Sequence, residues 1–230
     1  MKRLAALMCF LFAAASPALA QSLQTFHCTG EPGIAWEQQI AGCTEAIKSG
    51  ALGEREQAPA YKNRGNAYYF SKDYDSAIAD YNAAIKLDPK FAHAFNDRGA
   101  AYRAKGDYDR AIADYDQVLR LDPLDADAFK NRGTAYGLKE DYSRSITDYD
   151  RAITLRPNYA SAFTGRGVSY AAMGDMAHAM ADFNAALASD PNFALALYWR
   201  GTLRKQQGDV AAGDADLAAA AKLDSSLATQ

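Results

Sequence analysis

Three histidines and three cysteines are the residues of this 230-residue chain best suited to metal ligation or to acid–base and nucleophilic chemistry. His27, Cys28 and Cys43 could share a metal ion, but they are one ligand short of a closed tetrahedral site, and His93 and His178 lie far away in sequence. Neither of those two has a repeated acidic or nucleophilic neighbour. The sequence contains no GxSxG, HExxH, GxxxxGK[ST] or complete GxGxxG. Gly165-Arg166-Gly167 comes nearest to a phosphate loop, and Asp122, Asp125 and Asp127 lack the glycine and terminal glutamate of a calcium loop. The reading is of a chain with no catalytic residues, no metal and no cofactor, and it is not expected to be an enzyme.

The charged residues that do follow a rule are periodic. Arg64, Arg98, Arg132, Arg166 and Arg200 recur every 34 residues, and so do Asp80, Asp114, Asp148, Asp182 and Asp216. They lie within a larger period. Tyr61-Lys62-Asn63-Arg64-Gly65 returns as Phe95-Asn96-Asp97-Arg98-Gly99, Phe129-Lys130-Asn131-Arg132-Gly133, Phe163-Thr164-Gly165-Arg166-Gly167 and Leu197-Tyr198-Trp199-Arg200-Gly201. Ala77-Ile78-Ala79-Asp80-Tyr81 returns in the same register, and Pro89, Pro123, Pro157 and Pro191 close the first four units, with Ser225 in the fifth. A fixed period of this length decides the architecture before any local reading does.

Within a unit, Phe95, Gly99 and Tyr102 share one helical face, and Tyr108, Ala111, Ile112 and Tyr115 share another, so each unit reads as two helices. Asp73, Asp107, Asp141, Asp175 and Asp209 stand where a carboxylate caps the second helix and meets its positive dipole end. Proline then stops that helix, since it has no N–H and disfavours helical geometry before it. Small residues on facing helices allow close approach, and most of the aromatics recur at core positions. The recurring arginine and aspartate are expected to pair within a unit, because pairing to the following unit would leave Arg64 opposite Gly42 and Asp216 with nothing after it.

The composition supports a packed fold: 49% hydrophobic and 23% charged residues can bury a core. The formal charge of −3 gives no electrostatic case for nucleic acid or anionic lipid.

With its small, aromatic and proline positions, the pattern resembles the tetratricopeptide repeat family. The resemblance implies an all-α fold, a right-handed superhelical solenoid of antiparallel helix pairs, whose first helices line a concave groove for extended peptides or helices of partner proteins. Units fall at 58–91, 92–125, 126–159, 160–193 and 194–227, the last degenerate and serving as the C-terminal cap. Residues 21–57 form an N-terminal cap with a degenerate half-repeat, in which Ile40-Ala41-Gly42-Cys43 aligns with Ile78-Ala79-Asp80-Tyr81. The link at 49–59 is longer than later links and is expected to be the most mobile loop.

The chain opens with Lys2 and Arg3, an apolar stretch at 4–15 and the small-x-small site Ala18-Leu19-Ala20, which reads as a signal peptide over 1–20. An uncleaved membrane anchor is the alternative, but about 12 apolar residues fall short of the ~20 that span a bilayer. Cleavage near Ala20 would leave a soluble periplasmic or secreted chain of charge −5 and an even pair, Cys28 and Cys43, in an oxidising compartment where a disulfide is expected.

Placing the family's groove positions on the sequence marks Lys62, Asn66, Tyr69, Asn96, Arg103, Lys130, Thr134, Thr164, Tyr198 and Lys205, with Asp127 as an acidic exception. Phe70 falls at a groove-facing position as well. The set is net positive on an acidic chain, which favours a protein or peptide partner with an acidic segment or a free C-terminal carboxylate. Lys62 and Asn66 match two members of the carboxylate clamp of chaperone-binding relatives. Asp97, Asp127 and Asn131 stand where that clamp needs Asn, Lys and Arg, so its chaperone-tail ligand is not expected. The leading expectation is a non-catalytic, peptide-binding scaffold of the bacterial periplasm. The alternative is an envelope assembly factor that self-associates or recruits a cell-wall-modifying enzyme.

Overall fold

The structure, a computed structural model, describes Cys28, 33–50 and 52–229. The signal peptide expected at 1–20, His27 and the segment at 29–32 lie outside the described residues. Among the described residues there are eleven α-helices and no strand: α1 (Trp36–Lys48), α2 (Glu54–Phe70), α3 (Tyr74–Leu87), α4 (Ala92–Ala104), α5 (Tyr108–Leu121), α6 (Ala126–Leu138), α7 (Tyr142–Leu155), α8 (Ala160–Ala172), α9 (Met176–Ser189), α10 (Ala194–Gln206) and α11 (Val210–Leu223). A 3-10 turn, Ser225–Thr229, follows. Each helix packs on the next in chain order, and the result is an all-α solenoid.

One aspartate shapes both sides of each turn within a unit. The Asp73 N–H closes the last turn of α2 on the Tyr68 carbonyl at 2.9 Å, and its carboxylate accepts the Ser76 N–H at the start of α3 at 3.1 Å. Asp107, Asp141 and Asp175 repeat both bonds, and Asp209 does so between α10 and α11. The residue before it takes a left-handed backbone, which Gly106, Gly174 and Gly208 accept readily, whereas Lys72 and Glu140 adopt it at φ of 64° and 63°. At the other end of the unit, Asp88, Asp122, Arg156 and Asp190 leave helical geometry immediately before proline, at φ between −132° and −143°.

Helix α2 starts earlier than the sequence suggests. It begins at Glu54 and runs through Pro59, so the link to α1 is 49–53 rather than 49–59. The Glu56 carboxylate accepts the Gly53 N–H at 2.9 Å, and Glu54 and Glu56 favour the positive end of the helix, which together outweigh the donor lost at Pro59.

Close approach in the pair comes from glycine meeting a ring rather than an alanine. A Cβ on Gly65, Gly99 or Gly167 would lie 2.7, 2.8 and 2.7 Å from the rings of Tyr81, Tyr115 and Phe183, all of them fully buried. In the last unit, where leucine replaces the ring, Gly201 instead faces the Gly213 carbonyl, 2.8 Å from where its Cβ would be. Between units, Phe95, Val118 and Ala128 form one small core cluster, and Ala186, Leu187, Leu197 and Ala220 another. At the N-terminal end Cys28 and Cys43 are joined by a disulfide and pack on Ala60. The Asn63 side chain holds the Cys28 carbonyl at 2.7 Å.

Candidate functional site

The first helices of successive units (α2, α4, α6, α8 and α10) touch one another, while the second helices make no comparable contact across units. The first helices therefore form the inner, concave face, and their outward positions decide what that face can bind.

The recurring arginines hold that face in register. In every unit the guanidinium takes the aspartate of the second helix in a two-point bond: Arg64 on Asp80, Arg98 on Asp114, Arg132 on Asp148, Arg166 on Asp182 and Arg200 on Asp216, at 2.6–2.9 Å. The remaining nitrogen reaches back to the preceding second helix, to Thr44, Asn82, Asp116, Asp150 and Asn184 in turn. In the first four units the guanidinium carbon also lies over an aromatic ring one turn earlier, Tyr61, Phe95, Phe129 or Phe163, at 5.4–5.6 Å from its centre. One planar, five-donor side chain thus ties three helices together, which a lysine could not do. The hydrogen bonds that Arg132 donates to Asp148 raise its pKa further above the ordinary value.

At the first two units the concave face carries a linked polar cluster. Asn66, with its amide nitrogen turned to Asp97 at 3.1 Å and to the Tyr81 hydroxyl at 2.7 Å, presents its oxygen to the Lys62 ammonium at 3.2 Å. Lys62 also pairs with Asp97 at 3.8 Å. Burial raises the Asp97 pKa above the usual carboxylate range, with Lys62 opposing it. Asn66, Tyr69, Phe70, Tyr81, Asp97 and Ala100 enclose a small cavity of about 130 Å³. Further along, the Asn131 amide donates to Asn96 at 2.8 Å and Lys130 donates to Asn131 at 2.6 Å. The Thr134 hydroxyl meets that of Tyr149 at 2.9 Å. Burial lowers the Lys130 pKa.

The sequence-predicted positions therefore divide. Lys62, Asn66 and Tyr69 come together with the aromatic Phe70, which is exposed. Asn96, Lys130 and Thr134 form the next stretch, with Arg103 near it. Tyr198 and Lys205 lie apart from these, lining a cavity of about 530 Å³ with Thr202, Leu217 and Leu227 at the C-terminal end of the solenoid. Thr164 does not line the groove surface: it is 4% exposed and its hydroxyl bonds to the Ala160 carbonyl of its own helix. Lys62 and Lys130 are half-buried rather than solvated, since each stem packs into the helix array while its ammonium finds a polar neighbour. Asp127 is not a free charge either, because Arg156 and the Tyr159 hydroxyl both donate to it.

Asp97 and Asn131 take part although the sequence marks them only as departures from the carboxylate clamp and not as groove positions. Both stand one residue after such a position, and the 34-residue column they share with Asn63, Gly165 and Trp199 has no common chemistry to draw attention to it. Among the described residues no group of three or more His, Cys, Asp or Glu could hold a metal ion, and no helix is long and apolar enough to cross a membrane.

The tetratricopeptide repeat family model matches 62–126, 96–160 and 130–194, together more than half of the chain. The chain belongs to the tetratricopeptide repeat family. No protein with a curated description matches it. Among solved structures it is similar to a tetratricopeptide repeat protein from Parabacteroides merdae ATCC 43184, at 22% identity over 91% of this chain and 80% of that one, with a TM-score of 0.73. It is similar to YrrB, described as a TPR protein with an unusual peptide-binding site, at 26% identity over 82% of this chain and 96% of that one, with a TM-score of 0.57. The first TPR of Spaghetti (RPAP3), bound to the HSP90 peptide SRMEEVD, matches at 25% identity over 52% of this chain and 94% of that one, with a TM-score of 0.50.

Proposed function

We propose that the chain is a non-catalytic scaffold that binds a segment of a partner protein along the concave face, in the bacterial periplasm. The observation that carries the reading is the groove itself: a row of first helices, locked in register by the arginine staples, that presents Tyr69, Phe70, Asn96 and Lys130 from consecutive units. A rigid array of this kind loses little entropy on binding. The likeness to YrrB and to RPAP3, both described with peptide-binding sites or peptides, supports it. An acidic or C-terminal segment is the partner chemistry that the groove's lysines and arginine favour. The periplasmic location rests on the sequence at 1–20 and on the Cys28–Cys43 pair.

Photo-crosslinking in envelope extract tests the reading. A photoreactive residue at Tyr69 or Phe70 should capture one and the same partner, and the same residue at Ala113 or Thr147, exposed on second helices, should not. Capture only from the second helices would overturn it. Self-association is the alternative reading, favoured by the open cavity at Tyr198, Leu217 and Leu227. Light scattering of the mature chain showing a dimer whose crosslinks map to those residues would establish it instead.

A further inference from the structure

Two buried polar atoms among the described residues have no well-aligned hydrogen-bond partner, the Tyr115 hydroxyl and Arg103 Nε, and the Arg103 guanidinium lies close enough to that hydroxyl to act on it. The repeat explains why Tyr115 lacks the partner that its counterparts have. Its counterparts Tyr81 and Tyr149 bond to Asn66 and Thr134, one helix away. In the second unit that position is Ala100, which has nothing to offer. Burial pushes the Tyr115 pKa up to about 12, so the hydroxyl keeps its proton and can donate it. A fully buried phenol whose proton has no acceptor costs the fold its lost hydration unless something supplies one, and Arg103 can only donate.

The charges around it select that acceptor. Among the described residues Arg103 makes no ion pair, unlike the five staple arginines, and Lys130 bonds to the neutral Asn131. The positive charges of Arg103 and Arg156 both act against that of Lys130. Asp127, the carboxylate that acts most strongly on Lys130, is already engaged by Arg156 and Tyr159. Two cations and a phenolic donor, none of them bonded to a carboxylate among the described residues, are thus gathered on one stretch of groove. Asp127 and Asp125 stand close enough to Lys130 to oppose a multiply charged ion, so a singly charged, planar anion fits best.

We propose that Arg103, Lys130 and Tyr115 form a subsite that takes one carboxylate of the bound segment. This rests on the reading of the concave face as the binding surface and adds the chemistry of one position within it. The guanidinium of Arg103, on its flexible stem, would swing onto the carboxylate, opening the Tyr115 hydroxyl to donate to the same group, with Lys130 contributing charge from the next unit.

The test needs no natural partner. Three blocked tetrapeptides serve as probes: Ac-AAAA with a free C-terminus, Ac-AADA-amide with a side-chain carboxylate, and neutral Ac-AAAA-amide; inorganic phosphate is the fourth. Resonances of Arg103 Nε–H, the Tyr115 ring and the Tyr69 ring are followed by NMR. The free acid, the aspartyl peptide or both should shift Arg103 and Tyr115 in a saturable way, and which of them does so identifies the carboxylate. Arg103→Gln should weaken that response more than about tenfold, since a charged hydrogen bond is being lost. Ala100→Thr should give Tyr115 the partner that Tyr149 has, weakening the carboxylate response while raising the melting temperature. Lys105→Gln, on the outer surface where it pairs with Asp75, should change nothing. No saturable response at Arg103 to either carboxylate, or an equal response to the neutral peptide or a stronger one to phosphate, overturns the subsite. If the neutral peptide shifts Tyr69 while Arg103 stays silent throughout, the subsite fails and the groove reading stands. If no probe shifts Tyr69, Arg103 or Tyr115, both lose their support.

Discussion

Arg132 grips Asp148 with Nε on one carboxylate oxygen and Nη2 on the other, both at 2.7 Å, and turns Nη1 back to Asp116 of the preceding unit at 2.5 Å. Asp148 is almost fully buried and Asp116 is not, so the two bonds differ in what their loss would expose. Asp148→Ala leaves a guanidinium without its buried partner and should cost about 3–5 kcal/mol. Asp116→Ala should cost at most about 1 kcal/mol, as exposed pairs do. Urea denaturation of Asp148→Ala, Arg132→Ala and the double variant gives the coupling directly. Losses that simply add would show that the pair is not a unit.

Asp97 gives a pH signature of the groove. Its folded pKa lies above the ordinary value of 3.8 because burial penalises the charged form more than Lys62 stabilises it. The folded chain therefore holds this proton more tightly than the unfolded chain does. Its contribution to stability is full below the unfolded value and is lost as pH rises through the folded value. Asp97→Asn should accordingly be more stable than the parent at pH 7, and the advantage should close as the pH falls below about 4. Chemical denaturation at a series of pH values checks this; a variant no more stable than the parent at pH 7 would contradict it.

The Cys28–Cys43 bridge closes a loop of 15 residues against α1, which the chain-entropy model values at roughly 3 kcal/mol. A solenoid opens from its ends, so the effect of reduction should be local. Hydrogen exchange after reduction should accelerate in α1 (Trp36–Lys48) and leave α6 and α7 unchanged. Uniform acceleration across the helices would instead mean that the bridge stabilises the whole array. Mass spectrometry of unreduced, alkylated protein from the periplasm reports whether the bond exists there, and two free thiols would remove both it and its support for export.

The 34-residue period makes the helix pairs, the aspartate caps and the within-unit pairing of Arg132 with Asp148 readable, because each depends on one residue type returning to one place. The backward bond from each arginine is not readable in that way. Its acceptors are Thr44, Asn82, Asp116, Asp150 and Asn184, which share only the ability to accept. The groove is legible to the same limited extent. A family position says which way a backbone faces, yet Thr164 is too short to reach past its own helix, and Lys62 bends to Asp97. Position fixes direction, whereas side-chain length and the neighbouring column fix what is presented.

Tyr149 and Gly165 test how tightly successive units are fitted. The ring of Tyr149 crosses from α7 to α8 and occupies the space a side chain at 165 would need: a Cβ there would lie 2.7 Å from Tyr149 Cε1 and closer still to the end of the ring. Tyr149 is itself buried and tied to Thr134 at 2.9 Å, so it has little freedom to retreat. Gly165 is helical, and on helix propensity alone alanine would stabilise it by up to about 1 kcal/mol. Overpacking of this kind costs about 1–3 kcal/mol, which should reverse that gain. Gly165→Ala is therefore expected to be destabilised, and pairing it with Tyr149→Leu, which withdraws the ring, should make the alanine neutral or favourable. Thermal melts of the two single variants and the double variant decide the matter: if Gly165→Ala stabilises the chain with Tyr149 in place, the ring does not seal this junction, and the glycine reflects helix geometry alone.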